Sequence, residues 1–271
     1  MIFQKRKLVA LGLLAPILGF ASLSPCAFAQ TGTSGQSTTS GQSGSTGQAT
    51  TSGQATEGQA TQDRDEKEDA NKHVTDAVAV LKRMQAEPGM SKLLSQARGV
   101  FIVPTYGRAA LGVGAAGGAG VLLTKGSGKM WRGPAFYDIG GLSVGLQAGA
   151  EGGPMALILN NDKAVQSFGQ KNNFSVSADA GLTVVDWSKT AQGTAGTGDV
   201  TAWTGTKGLF GNVASIAIND IRYDADETNA YYGQSNLMAQ DIIGGKVKSP
   251  PQAKALQKAI TTAAAPATKT K

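Results

Sequence analysis

The stretch from Asp63 to Arg98 repeats apolar residues at spacings of three and four, the period of an amphipathic helix. The repeating positions are Val74, Ala77, Val78, Leu81 and Met84. Pro88-Gly89 interrupts the pattern, because proline has no amide hydrogen for a helix interior. A second, shorter helix is predicted to carry Met90, Leu93, Leu94 and Ala97. The apolar stripe of the first helix must be covered, either by the rest of the protein or by lipid.

After Gly99 the pattern changes to apolar runs punctuated by glycine, which predicts strands. The predicted strands are Val100–Val103, Gly120–Thr124, Ala135–Ala150, Met155–Leu159, Phe174–Asp186, Val200–Trp203 and Gly211–Tyr223. Helices are predicted at Asp162–Phe168 and from Asp226 toward Ile243. Dense glycine among alternating apolar residues favours a twisted or closed antiparallel sheet.

After Pro250-Pro251 a last amphipathic segment places Ala253, Leu256 and Ile260 on one side. The pattern as a whole predicts an α+β fold, with an antiparallel, strongly twisted or barrel-like β-sheet and flanking N- and C-terminal helices. Residues 63–262 have the length of one domain. Residues 263–271 are predicted to be a flexible basic tail.

The N-terminus has the features of a secretory signal peptide, residues 1–29. Basic residues from Lys5 to Lys7 precede an apolar stretch, and the small residues Ala27 and Ala29 mark a cleavage site. An uncleaved membrane anchor is the first alternative, although about 16 apolar residues are fewer than the roughly 20 that a spanning helix needs. The second is lipid attachment at Cys26, although Pro25 replaces the small residue of a lipobox. We expect export to the periplasm or cell envelope, with outer-membrane association or secretion as further destinations.

Residues 30–62 repeat serine, threonine, glycine and glutamine, with one charged residue and no large apolar side chain. Such a segment buries too little apolar surface to offset the entropy lost on ordering. It is therefore predicted to be a disordered linker between the signal and the domain.

The charge pattern changes the picture only modestly. The full chain carries a net charge of +6, and loss of the three basic signal residues would leave +3, too little to indicate nucleic acid binding. Six lysines follow the last acidic residue, Asp241, so a basic C-terminal end is joined to a slightly acidic body. That distribution suits an anionic surface, although a tail that only aids solubility is the alternative.

The sequence contains few of the residue patterns that are typical of catalytic, cofactor or metal sites. Residues 112–117 spell G-x-G-x-x-G, but the residues that follow predict a bend and a strand, whereas a dinucleotide site needs a helix there. The single histidine, His73, lies on the polar side of the first helix, and no zinc-ligand cluster accompanies it. Asp224, Asp226 and Glu227 lack a calcium-loop pattern. We predict no enzyme activity, no cofactor and no metal, with a carboxylate-pair hydrolase as the least favoured alternative.

The most informative stretch is residues 131–149, WRGPAFYDIGGLSVGLQAG. It resembles the SYLF family of lipid-binding domains, which carries W-x-x-P-x-F followed by a glycine-rich S-x-G-x-Q-x-G segment. Residues 97–104 resemble the family's opening strand and residues 112–121 its glycine-rich turn. Residues 207–213 and 229–233 resemble two later motifs in the same order, so that the resemblance covers about Val74 to Ile243.

The resemblance implies binding to membrane lipid, with phosphoinositides as ligands and actin as a partner in eukaryotic members. Actin does not suit an exported chain, so no actin partner is expected. Family members use a basic amphipathic N-terminal helix, and the matching positions here are Lys82, Arg83, Lys92 and Arg98. Trp131 is added as an aromatic candidate for lipid contact, with a place in the core as the alternative, and Trp203 is a second such aromatic.

The sequence thus favours an exported protein that binds anionic phospholipid and catalyses nothing. An envelope-associated structural or host-interacting protein that binds polymer or another protein is the alternative.

Overall fold

Two long antiparallel strands organise the fold. β1 (Gly99–Lys125) and β2 (Trp131–Leu159) pair along almost their whole length, from Gly99 opposite Leu159 to Lys125 opposite Trp131. The structure, a computed structural model, describes residues 52–126, 130–170, 173–176, 182–194, 196–206 and 218–265. All of these belong to one compact unit, Ala49–Lys271.

Four shorter strands complete the sheet as described. They are β3 (Asn173–Val176), β4 (Val184–Asp186), β5 (Val200–Thr204) and β6 (Ile218–Tyr223). The strand order is β3-β6-β2-β5-β4, with β1 on the other side of β2. β2 pairs with β6 near its start and with β5 near its end. All these pairings are antiparallel except β4 with β5, which confirms the predicted fold class.

β1 folds back on itself, which gives the sheet its strong curl. A Cβ atom on Gly120 would lie 2.6 Å from the carbonyl oxygen of Ile102, and one on Gly118 would lie 2.6 Å from that of Thr105. The amide of Lys125 donates to the carbonyl of Arg98 at 2.7 Å. The two ends of β1 therefore lie against each other, and glycine allows the backbones to approach this closely.

The core lies inside this curl and under the helices. Consecutive residues are buried at Val100–Val103, Val121–Leu123 and Met155–Leu159. Since neighbouring strand residues point to opposite faces, both faces are covered along these segments. Phe101, Tyr137 and Phe168 pack together with ring centroids 5.2 to 5.9 Å apart. The hydroxyl of Tyr137 also donates to the carbonyl of Phe168 at 2.8 Å, so the polar group of a buried ring is satisfied.

The helices flank the sheet. They are α1 (Ser52–Gln85), α2 (Met90–Gln96), α3 (Asp162–Gln170), α4 (Trp187–Ala191), α5 (Ala225–Tyr232), α6 (Ala239–Ile243) and α7 (Lys254–Ala263), with a 3-10 turn at Pro251–Ala253. α1 packs against α5, α7 and β1, and α7 also contacts α2. The predicted break at Pro88-Gly89 is confirmed.

The apolar stripe of α1 is inside the protein. Val74, Ala77, Leu81 and Met84 are buried, Val78 is partly buried, and all pack into the common core. The alternative in which lipid covers this stripe is therefore wrong for the described conformation. The stripe contributes to the stability of the fold, and any lipid contact must come from other side chains.

Several predicted elements differ from the structure. Asn173–Val176 and Val184–Asp186 are separate strands at opposite edges of the sheet, because alternating residues cannot distinguish one strand from two. The helix predicted from Asp226 ends at Tyr232, where Gly233 adopts a left-handed conformation with φ 62°. Gly112–Val121 and Gly152–Pro154 lie within β1 and β2 and form no breaks.

Two helices extend past the predicted boundaries of residues 63–262. α1 begins at Ser52, inside the predicted linker of residues 30–62. α7 extends to Ala263, which is buried, so the tail is shorter than predicted. The signal peptide, most of the linker, residues 266–271 and the motif at residues 207–213 lie outside the described residues.

Candidate functional site

Basic residues lie on α2, at the end of β1 and at the start of β2, segments that the fold brings next to one another. We call this group, Lys92, Arg98, Lys125 and Arg132, the basic end. Backbone hydrogen bonds bring its parts together, since the Arg98 amide donates to the carbonyl of Leu159 at 2.8 Å and the Lys125 amide to that of Arg98. Two of the four residues, Lys92 and Arg98, were predicted as site residues from the sequence.

Lys125 is held in a fixed position. Its Nζ donates to the carbonyl of Ser95 at 2.8 Å and lies 4.8 Å from the centroid of the Trp131 ring. A cation over an aromatic face is attracted by the ring quadrupole. Lys125 thus joins the end of α2 to the start of β2.

Trp131 has only 8% of its surface exposed and belongs to the core. The interpretation of Trp131 as a lipid-contacting aromatic is therefore wrong for this conformation, and its side chain supports Lys125 instead. Trp203 is buried as well. The sequence left both outcomes open because tryptophan is common in cores and at interfaces alike.

Arg132 is positioned by glycine. Its Nη1 donates to the carbonyl of Gly244 at 2.7 Å. A Cβ on Gly126 would lie 2.5 Å from Arg132 Nε, and one on Gly245 would lie 2.6 Å from the Arg132 Nε and Cζ. The guanidinium therefore packs directly on two stretches of bare backbone, and any larger side chain there would displace it.

Arg98 and Lys92 complete the basic end. Arg98 Nε lies 3.6 Å from Asp162 Oδ1, with both side chains at least half exposed. Solvent and salt screen such a pair, so Asp162 offsets only part of the positive charge. Lys92 is exposed on α2, one turn before Ser95, whose carbonyl accepts from Lys125.

The other two predicted residues, Lys82 and Arg83, lie elsewhere. Arg83 Nη2 donates to the carbonyl of Gly205 at 2.8 Å, and the Gly205 amide in turn donates to Pro154. The carbonyl of Leu159 accepts from the Arg98 amide, and Pro154 lies five residues before Leu159 in β2. Five residues of strand span about 17 Å. The four predicted basic residues therefore form two separate groups.

An exposed methionine lies beside the basic end. Met130 has 76% of its surface exposed, and its carbonyl accepts from the Gly126 amide at 3.0 Å at the base of the β1–β2 connection. It precedes Trp131 and lies between Lys125 and Arg132 in the hairpin. Met130, Lys125 and Arg132 are not among the predicted site residues, although two cations flanking a short glycine-rich segment are a signal that could have indicated them.

A second polar cluster lies between α1 and α5. His73 Nδ1 lies 2.7 Å from Glu227 Oε1, and the side chain of Glu227 is buried. The hydrogen bond that His73 donates to the Glu227 carboxylate raises the pKa of His73, while burial raises the pKa of Glu227. Asp224 accepts from the Glu227 amide at 2.8 Å as the N-cap of α5.

Asp138 belongs to the same cluster. Burial, with the nearby Asp224 carboxylate as a second cause, raises the pKa of Asp138. Glu227 and Asp224 are both engaged in contacts that join α1 to α5 and cap α5. These contacts give the cluster a structural role, because they hold α1 in place. If α1 detached, its apolar stripe would be exposed.

The other sequence motifs are also placed. Residues 112–117 lie inside β1, and the strand continues to Lys125, so the predicted strand rather than a helix follows the glycines. In the described ranges, no three histidine, cysteine or carboxylate groups are close enough to hold a metal ion. Of the helices that the structure describes, none has the length and hydropathy needed to cross a membrane.

Comparison with known proteins finds one family. Residues 140–263 match the family described as Ysc84, Las17-binding protein actin regulator. The chain is similar to SH3 domain-containing YSC84-like protein 1 of Xenopus laevis, with 27% identity over 60% of this chain and 49% of that protein. The human protein of the same name is 26% identical over 60% of this chain and 48% of its own length.

Protein YSC84 of Saccharomyces cerevisiae is 27% identical over 64% of this chain and 37% of its own length. The chain therefore spans about half the length of the vertebrate relatives and less of the yeast one. No solved structure matches.

Proposed function

Because the chain carries a Ysc84-type (SYLF) domain, as the sequence resemblance predicted, we propose that it is an exported, non-enzymatic protein that binds surfaces of anionic phospholipid. Export rests on the predicted signal peptide of residues 1–29. The observation that carries the binding proposal is the basic end, where backbone carbonyls hold Lys125 and Arg132 while Lys92 and Arg98 are exposed on the adjoining segment.

Binding at this site would be electrostatic in origin. Each lysine or arginine near an anionic leaflet contributes on the order of 1 kcal/mol, so that four such residues suffice for reversible association. Lys125 and Arg132 are already held by hydrogen bonds to backbone carbonyls, so ordering them costs little entropy on binding. The apolar stripe of α1 takes no part, since it is buried.

The test is co-sedimentation of the mature chain, from Gln30 onward, with vesicles. That chain retains every residue that the structure describes. We expect it to pellet with vesicles of phosphatidylcholine and phosphatidylglycerol and to be released as salt rises, because exposed charges are screened. Equal pelleting with pure phosphatidylcholine, or none with either at low salt, would contradict the proposal.

Two double variants with equal charge loss locate the site. Lys92→Gln/Arg98→Gln removes charge from the basic end, whereas Lys82→Gln/Arg83→Gln removes it from the group near Gly205. We expect the first to weaken partitioning by roughly thirtyfold at low salt, from two lost contacts, and the second to have much less effect. A larger effect of the second variant would move the site to the end of α1.

Actin regulation is named in the description of the matched family and is the second candidate. It does not suit an exported chain, and the chain spans only part of its relatives. Co-sedimentation with actin filaments, run beside the vesicle assay, separates the two. Filament binding without vesicle binding would favour the family's actin-linked role, and pull-down by envelope polymer alone would favour an envelope structural role.

A further inference from the structure

The side chain of Met130 is largely exposed in the described structure. Two large apolar side chains stand out as exposed in the described residues, Met130 at 76% and Met238 at 58%. Met130 lies just before β2, at the end of the two longest strands, and its carbonyl accepts from the Gly126 amide. A single exposed methionine is unremarkable alone, so its surroundings decide its meaning.

Those surroundings are cationic on both sides of the hairpin. Lys125 and Trp131 are opposite each other in the β1–β2 register, so Lys125 is across from the residue next to Met130. Arg132 follows two residues after Met130 and packs on Gly126, whose amide bonds Met130. An apolar side chain framed by basic ones is the arrangement that favours the boundary between headgroups and acyl chains.

The geometry points to Met130 as the residue that enters the acyl region when the basic end meets an anionic membrane. This inference rests on the proposed lipid-binding function and deepens it, since it names the inserting residue and sets the orientation of the domain. Lys125 and Arg132 would contact headgroup phosphates on either side. The hairpin axis would then point toward the membrane, and α1 would remain packed on the sheet.

Charge complementarity favours an anionic membrane as the partner of the basic end. The basic end combines four cations with the partly screened Asp162, so it favours a surface of dense negative charge. Methionine is unbranched and polarizable, which lets it adapt to a fluid layer. Burying such a side chain gains enough free energy to be measured in a partition assay.

The test places one thiol at Met130. The chain from Gln30 onward contains no cysteine, so Met130→Cys can be labelled with an environment-sensitive fluorophore. Met238→Cys is the matched control. The carbonyl of its neighbour Leu237 accepts a hydrogen bond from the hydroxyl of Tyr223. Tyr223 pairs with Tyr137, which is seven residues after Met130 in the sequence. Vesicles of phosphatidylcholine with phosphatidylglycerol serve as the probe, with and without bromine on the acyl chains.

We expect the label at position 130 to gain intensity and shift to the blue on vesicle binding, and to be quenched by brominated acyl chains. The label at position 238 should stay as it is in buffer. If the unlabelled protein pellets with vesicles but neither label changes, the inference about Met130 is overturned while the proposed function stands. If the protein does not pellet at all, the proposed function itself fails.

A substitution pair tests the same point without a label. Met130→Glu should weaken partitioning roughly tenfold or more, from the loss of one buried apolar side chain, and Met130→Leu should preserve it. Met238→Glu adds the same negative charge away from the tip and should change it little. Equal weakening by Met130→Glu and Met238→Glu would show that only net charge matters and would overturn the inference. Circular dichroism checks that each variant keeps its fold.

Discussion

The imidazole Nδ1 of His73 lies 2.7 Å from the carboxylate Oε1 of Glu227, and this contact joins the middle of α1 to α5. The sequence places this single histidine on the polar face of a helix. The contact shows that it also attaches α1 to α5. Its charge state should affect how firmly α1 is held.

Stability should fall as pH rises through the pKa of His73. Glu227 raises that pKa above the ordinary 6.5, so the stabilisation is complete below 6.5 and is lost as pH rises through the higher folded value. Urea unfolding from about pH 6 to about pH 8 should show a falling free energy of unfolding in this window.

His73→Gln should reduce that slope, since glutamine does not titrate. Lys72→Gln is the matched control, because Lys72 pairs with Asp76 on the exposed side of the same helix. An identical slope in the wild-type chain and in His73→Gln would show that another group is responsible.

Gly120→Ala should destabilise the fold, because its Cβ would meet the carbonyl oxygen of Ile102, part of the backbone on the facing part of β1. We expect a loss of about 2 kcal/mol or more in the free energy of unfolding, typical of overpacking in a rigid core. Gly107→Ala is the control, since a Cβ there has no atom within 4 Å, and it should change stability by less than about 0.5 kcal/mol. Equal losses in the free energy of unfolding for the two variants would mean that the two ends of β1 are not closely packed at Gly120.

Trp131→Phe should separate the core role of Trp131 from lipid contact. Since the ring is buried and supports Lys125, we expect the free energy of unfolding to fall by roughly 1 kcal/mol while vesicle partitioning changes little. Urea unfolding and co-sedimentation measure the two effects separately. If the free energy of unfolding did not change and vesicle partitioning fell as much as in Lys92→Gln/Arg98→Gln, Trp131 would be a lipid-contacting residue after all.

The sequence predicted local features well where one residue type decides the backbone. Pro88 ends α1 as expected, because proline cannot continue a helix, and the apolar period of α1 identifies its buried face. The class of sheet was also predictable, since alternation with frequent glycine indicates twisted antiparallel strands. Residues 131–149 resemble the family whose model matches residues 140–263.

Features that depend on distant pairing were not predictable. Gly112–Val121 resembles the family's glycine-rich turn, but here it continues β1. The basic end depends on Arg98 meeting Lys125 and on Arg132 meeting Gly244, contacts between residues far apart in the chain. The spacing of cations along the sequence cannot show that Lys82 and Arg83 lie apart from Lys92 and Arg98.

The packing of α7 beside α1 and α2 constrains how the chain reaches its native state. Leu256 and Ile260, near the end of the described chain, share one core with Val74 and Leu81. That core cannot close until the residues of α7 are available to pack against α1, so completing it must bring together segments that lie far apart in the sequence. Such dependence on distant contacts slows folding.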